Sequence, residues 1–227
     1  MKRLLRSVRL SLGFLLGRKL GLFVTIDVLV VGSSLMRMLL DSPEQNPMAV
    51  YHYLFLVPAA LLALPALAGI VDLERRAGCL DLALSAPDAE GYFLRRAGAV
   101  CGLVAAQGVI LVLIGWLYLG RIFPLLPALL QIAVASAFLG TVSLFWAVRL
   151  RTAGAVWLAS AVTVGLMSRW FLFDPTARKL GTAPRPLLPD GEEALPWLAS
   201  FAVLALGATL FYLYARRRLR RPERMLS

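Results

Sequence analysis

The chain has 227 residues, 59% hydrophobic and 16% charged, with a formal net charge of +11 and a mean hydropathy of +0.76. A soluble domain of this length cannot bury that much apolar surface, which excludes an ordinary globular enzyme and points to one multi-span membrane domain. The basic residues flank apolar runs instead of gathering into one stripe, so nucleic acid is excluded as a partner and a lipid bilayer is expected. Cys79 and Cys101 form no C-x-x-C pair and His52 has no His or Cys near it in sequence. A disulfide framework, a His/Cys metal site and a bound cofactor are therefore not expected in this chain.

Residues 1–19 come first. Lys2, Arg3, Arg6 and Arg9 put too much charge here for a span, while Leu5, Val8, Leu12, Leu15 and Leu16 fall on one helical face. This spacing predicts an amphipathic helix lying in the membrane interface. A cleaved signal peptide is the rival reading. No A-x-A site follows, and the apolar stretch resumes at full span length.

Six apolar runs then occupy 20–215, at about 20–40, 51–71, 97–119, 124–148, 152–171 and 195–215. At ~1.5 Å per residue a run of about 21 residues reaches ~30 Å, the thickness of the hydrocarbon core. Helix is the expected form, since each backbone N–H and C=O must be satisfied without water. The fold class expected is thus an all-α integral membrane protein with six transmembrane helices.

Orientation follows from Lys and Arg. With the N-terminus inside, the cytoplasmic segments (2–19, 72–96, 149–151 and 216–224) hold 18 of them, against six outside even when Arg37 and Arg169 are counted. Both termini are expected in the cytoplasm, with 216–227 a basic cytoplasmic tail. The outer segments are a short acidic 41–49, a tight turn at 120–123 and a four-proline loop at 172–194.

Within the runs, Gly98, Gly102 and Ala106 recur every four residues, a ridge that permits close helix approach. Pro58 and Pro65 lie seven apart on nearly one face, a candidate hinge on a transport path or plain span prolines. Asp27 and Gln107 are the polar residues well inside spans, candidates for cargo contact or gating, with a structural pairing as the blander account. Trp116, Tyr118, Trp146, Trp170, Trp197, Tyr212 and Tyr214 gather near span ends and read mainly as an interfacial belt.

The longest polar interruption of the first half is 72–96, DLERRAGCLDLALSAPDAEGYFLRR. Leu73, Ala77, Leu80 and Leu84 are spaced four, three and four apart and so share a helical face. Pro87 restricts Ala86 and ends the helix there. A short helix with one apolar edge suits docking in the groove of a partner, with flanking charges setting register.

The pattern Glu74-x-x-x-Gly78-x-Leu80-Asp81-x-x-Leu84-Ser85-x-Pro87 resembles the E-x-x-x-G-[ST]-L-[DE]-x-L-x-x-[ST]-P signature of type-2 ABC exporter permeases. Cys79 stands where that family has Thr or Ser, Ala83 where it has leucine, and Ala86 where it has a hydroxyl residue; Leu84 and Ser85 supply the missing groups one position away. The six-span plan, the interfacial N-terminal helix and the cytoplasmic termini fit the same family across the whole chain. The resemblance implies that 72–96 carries a coupling helix seated on an ATPase, with Leu73, Glu74, Ala77, Gly78, Leu80, Asp81, Leu84 and Pro87 as coupling residues.

No G-x-x-x-x-G-K-[ST] occurs, so the chain is not expected to be an enzyme and ATP with Mg²⁺ would sit on a separate ABC ATPase subunit. The resemblance further implies a second permease copy or paralogue, export of an unidentified cargo, and residence in a bacterial inner membrane. A haem-exporter-like subunit of cytochrome c maturation is an alternative within the superfamily, and a non-transporting membrane scaffold is one outside it. An intramembrane protease lacks an H-E-x-x-H motif or paired span carboxylates.

Overall fold

The computed structural model describes residues 25, 26, 28, 29, 31–33, 36, 57–86, 88–119, 125–172 and 194–220. Among them the regular structure is entirely helical: α1 (Val57–Arg76), α2 (Leu80–Ser85), α3 (Ala89–Leu119), α4 (Leu125–Ala147), α5 (Ala153–Leu172) and α6 (Ala194–Leu219). The described positions between 25 and 36, in the first apolar run, are helical as well. The interfacial helix of 1–19, Asp27, Pro87, the outer segments at 41–49, 120–123 and 173–193, and the end of the basic tail lie outside the described residues.

Apolar run length set most of these helices, because an uninterrupted run of Leu, Val, Ala and Ile offers no internal stop. α4 and α5 each fall within a residue of the expected run at both ends, and α6 continues past its own by four residues. Among the described residues one helix, counted over Ala89–Ile114, is both long and apolar enough to cross a membrane, and Ile132–Ala147 and Ala153–Leu166 are shorter apolar segments.

α1 and α3 run beyond the apolar runs that they contain. α1 runs through Pro65 and on to Arg76, five residues beyond the apolar run. Its last turn carries Arg75 and Arg76, which complement the partial negative charge at a helix C-terminus. Arg76 also pairs with Asp72 one turn back at 2.6 Å. α3 starts eight residues before the expected 97. Asp88 begins it: its Oδ1 accepts the Gly91 N–H at 3.1 Å, and Glu90 lies in the first turn. At ~1.5 Å per residue, α3 is ~46 Å long and exceeds a ~30 Å hydrocarbon core by several turns. Most of the expected 72–96 loop is therefore helix.

α4 is the centre of the bundle and packs against α1, α3, α5 and α6. Leu67, Ile70 and Val71 of α1 meet Phe93, Val100 and Val104 of α3 and Ile132, Leu139 and Leu144 of α4 in one buried cluster. A second cluster joins Phe138 and Val142 of α4 to Leu204 and Ala208 of α6. The close approach of α3 to α4 comes at Gly140, where an added Cβ would collide with Cys101 Sγ. The ridge of Gly98, Gly102 and Ala106 is not that contact. All three are exposed, and a Cβ on either glycine would meet nothing within 4 Å. Small-residue spacing located a smooth face of α3 without saying which way it points.

Candidate functional site

The end of the bundle where α1 stops and α3 begins holds the densest polar structure. Gly78 ends α1 with φ +67°, the left-handed conformation that L side chains resist. Cys79 N–H donates to Glu74 C=O at 3.0 Å and Gly78 N–H to Arg75 C=O at 3.2 Å. This pair of bonds is the Schellman closure, which satisfies carbonyls a helix end leaves open. The four-residue spacing of Glu74 and Gly78 therefore has a structural meaning: Gly78 reverses the chain, and Glu74 supplies both a carbonyl to the closure and a carboxylate to the interior.

The reversal delivers α2 across the hairpin. Leu80 and Leu84 are buried in the main core cluster, whereas Asp81, Leu82 and Ser85 face outward, with Leu82 74% exposed. The apolar edge expected to dock a partner is turned inward at two of its four positions: Leu80 and Leu84 seat α2 on its own bundle. Leu73 is half-buried and Ala77 exposed. Ala86 leaves the helix at φ −64°, ψ 142°, the extended geometry imposed on a residue before proline.

Beneath α2 lies a buried ion pair. Glu74 and Arg96 are 2% and 6% exposed, and Arg96 Nη1 donates to Glu74 Oε1. Tyr92 Oη donates to the same oxygen at 2.8 Å, and the Arg96 guanidinium lies over the Tyr92 ring, 4.4 Å from its centroid. Tyr92 and Arg96 are one turn apart on α3, so a single face of α3 answers one carboxylate of α1. Burying two charges costs several kcal/mol per ion unless geometry and extra hydrogen bonds offset it; the Tyr92 hydroxyl and the cation–π contact offset part of that cost, while Glu74 Oε2 is buried without a hydrogen-bond partner.

Two further ties fix the hairpin to its neighbours. Arg75 Nη1 donates to the carbonyls of Leu150 at 3.2 Å and Arg151 at 2.6 Å, in the turn between α4 and α5. Glu90 receives two cations, Arg216 from the last turn of α6 at 2.7 Å and Arg220 just past its end at 2.8 Å. Outside these, Arg95 pairs with Asp88 at 2.7 Å, and its hydrogen bond is the main reason the Asp88 carboxyl sits below its ordinary range.

The structure thus brings Leu73, Glu74, Ala77, Gly78, Leu80, Asp81 and Leu84 together in one hairpin. Gln107 is half-buried well along α3, away from it in the chain, and Pro58 and Pro65 lie in the first half of α1. Arg75, Glu90, Tyr92, Arg96, Arg216 and Arg220 complete the site without having been singled out. For Glu90, Tyr92 and Arg96 a local signal was present: Asp88 followed by Glu90 in a first turn predicts a helix start, which places Tyr92 and Arg96 on one face. No protein-family model, curated protein or solved structure matches the chain. Among the described residues no group of three or more His, Cys, Asp or Glu could hold a metal ion.

Proposed function

We propose that this chain is the permease subunit of an ATP-driven ABC exporter of the type-2 plan. Its six spans cross the inner membrane with both termini in the cytoplasm, and an ATPase supplied by another chain drives it. The α1–α2–α3 hairpin carries this reading. It presents the short helix α2 beyond the ends of α1 and α3, and those two helices are tied to each other through Glu74–Arg96, to the α4–α5 turn through Arg75 of α1, and to the C-terminal end of α6 through Glu90 of α3. A load applied to the outer face of α2 passes through the packing of Leu80 and Leu84 to the bundle core, and the polar links of α1 and α3 join it to the α4–α5 turn and to α6. An apolar exterior supports the membrane reading: Leu117, Leu126, Leu158, Leu206 and Leu210 all stand exposed.

The mechanism follows from where the free surface lies. The ATPase groove takes Leu82 as the apolar anchor, with Asp81 beside it setting register. Binding of ATP and Mg²⁺ on that partner favours one arrangement of the permease pair over the other, which is the only way a ligand shifts such an equilibrium. The cargo is whatever the permease pair admits between its spans.

The test is capture of an ABC ATPase from the native membrane by the tagged full chain, followed by measurement of its hydrolysis. Leu82→Asp is expected to weaken capture at least about tenfold, as loss of a central apolar anchor does. Leu80→Asp instead lowers the yield of folded protein, since it puts a charge into the core. If no ATPase accompanies the wild-type chain, or Leu82→Asp leaves capture and coupled hydrolysis intact, the scaffold reading replaces this one.

A further inference from the structure

A second polar cluster lies apart from the hairpin's ion pairs, where α4 ends beside α6. Arg149 is exposed, and its guanidinium carbon lies 5.4 Å from the Phe145 ring, 5.9 Å from Trp146 and 5.6 Å from Tyr214. Those rings are themselves locked. Phe145 contacts Trp146, Phe211 and Tyr214 with centroids 4.8–5.0 Å apart. Trp146 Nε1 donates to Thr163 Oγ1 at 3.0 Å. A second guanidinium, Arg218, lies over Tyr214 at 5.9 Å, and its Nε donates to Tyr214 Oη at 3.4 Å. Among the described residues no carboxylate pairs with Arg149, whereas the nearby Arg216 and Arg220 are taken by Glu90.

We infer that Arg149, held by Phe145, Trp146 and Tyr214 with Arg218 alongside, is a binding site for the phosphate of an anionic phospholipid headgroup. Aromatic faces hold a guanidinium by its π surface and leave its N–H edge pointing outward, and that edge is the geometry a phosphate accepts in a bidentate way. Trp and Tyr are the residues that sit at headgroup depth, and the predicted inner leaflet is the face that carries anionic lipid. The three rings surround the exposed Arg149 guanidinium on one side, which narrows the directions that its N–H edge can take before a ligand arrives. This inference rests on the membrane reading of the chain, though not on the ATPase.

The experiment uses the full chain purified in detergent and reconstituted into nanodiscs of phosphatidylcholine with or without phosphatidylglycerol. Bound lipid is counted by native mass spectrometry, with glycerol phosphate added in solution as a separate arm. Wild type retains phosphatidylglycerol over phosphatidylcholine, and Arg149→Ala loses that preference about fivefold, the weight of one arginine near an anionic surface. Arg149→Lys keeps the charge and loses the planar, stacked edge, so a loss close to that of alanine is expected. Arg217→Ala, an exposed cation outside the aromatic ring set, serves as the control and shifts the preference less. Equal binding by wild type and Arg149→Lys assigns the effect to surface charge alone and overturns the site. So does binding of glycerol phosphate that fully replaces the lipid, which makes the ligand a soluble phosphate. A chain that fails to enter nanodiscs overturns the membrane reading itself.

Discussion

Two connections meet at the same end of the bundle and are built differently. The turn from α4 to α5 is a short five-residue connection with no helix of its own. Leu150 N–H returns to Trp146 C=O at 2.8 Å, Thr152 Oγ1 receives the Ala155 N–H at 3.4 Å, and α5 is under way. The connection from α1 to α3 adds a left-handed glycine, a six-residue helix and a buried ion pair. Joining two antiparallel helices requires only the first kind. The extra structure of the second is thus not needed for connection, and its outward Asp81, Leu82 and Ser85 are what it adds to the surface. Arg75 links the two, since it leaves the hairpin to donate to both carbonyls of the turn.

The sharpest way to break this contrast is to remove one charge from the hairpin and one cap from the turn. Glu74→Ala leaves Arg96 buried without its carboxylate and is expected to destabilise the protein by roughly 3–5 kcal/mol. Thr152→Ala removes a hydroxyl cap and is expected to cost about 1 kcal/mol. Thermal and denaturant unfolding in detergent read both. Glu74→Leu combined with Arg96→Met is expected to recover most of the loss, because an apolar pair replaces the charges without leaving one orphaned. Equal losses for Glu74→Ala and Thr152→Ala mean that the hairpin is no more than a longer turn.

Next comes the glycine. Gly78→Ala forces a side chain into the left-handed region and is expected to cost about 1–2 kcal/mol, with Gly78→Asn milder. A Cβ there meets nothing within 4 Å, so conformation alone carries the effect. If Ala is tolerated without loss, the chain reverses at this point by some other route, and the direction of α2 no longer depends on Gly78.

The long helices were legible because run length and hydropathy are local properties. The stripe of Leu80 and Leu84 was legible for the same reason, and its periodicity was read correctly. Its direction was not. Periodicity names a face but cannot say whether that face meets the chain's own core or a partner, and only the positions of α1 and α3 decide this. The ion pair was hidden by separation: Glu74 and Arg96 are 22 residues apart, and they meet only once Gly78 has turned the chain. The start of α3 was hidden by composition, since Arg95 and Arg96 read as loop charges until Asp88 is recognised as a cap. Glu90 with Arg220 lies 130 residues apart, beyond any local pattern.

That long-range tie gives the third prediction. Glu90 is partly buried and holds two arginines, a network and not an isolated surface pair. Glu90→Gln is expected to cost about 1 kcal/mol, and to raise hydrogen exchange in the last two turns of α6 more than in α4. Exchange rising equally in both helices means that α6 is held by the Phe138–Leu204 packing alone.

The smallest effect lies at the exposed rim. Asp88 and Arg95 pair at 2.7 Å with both side chains largely in solvent, where an ion pair contributes little. Arg95 nevertheless holds the Asp88 carboxyl below its ordinary value of 3.8, mainly by hydrogen bonding. A carboxyl lowered in the folded state stabilises it at every pH above that ordinary value, and the contribution disappears as pH falls through the lower folded value. The pair should therefore protect the first turn of α3 at neutral pH and cease to do so in strong acid. Amide exchange at Gly91, whose N–H Asp88 caps, measures this directly. Wild type and Arg95→Ala, compared at each pH, should differ slightly near pH 7 and converge below 3.8. A gap that persists through the acid range means that Arg95 acts on the turn through its aliphatic stem. In that case the rim, unlike the buried pair beneath it, does not work by charge.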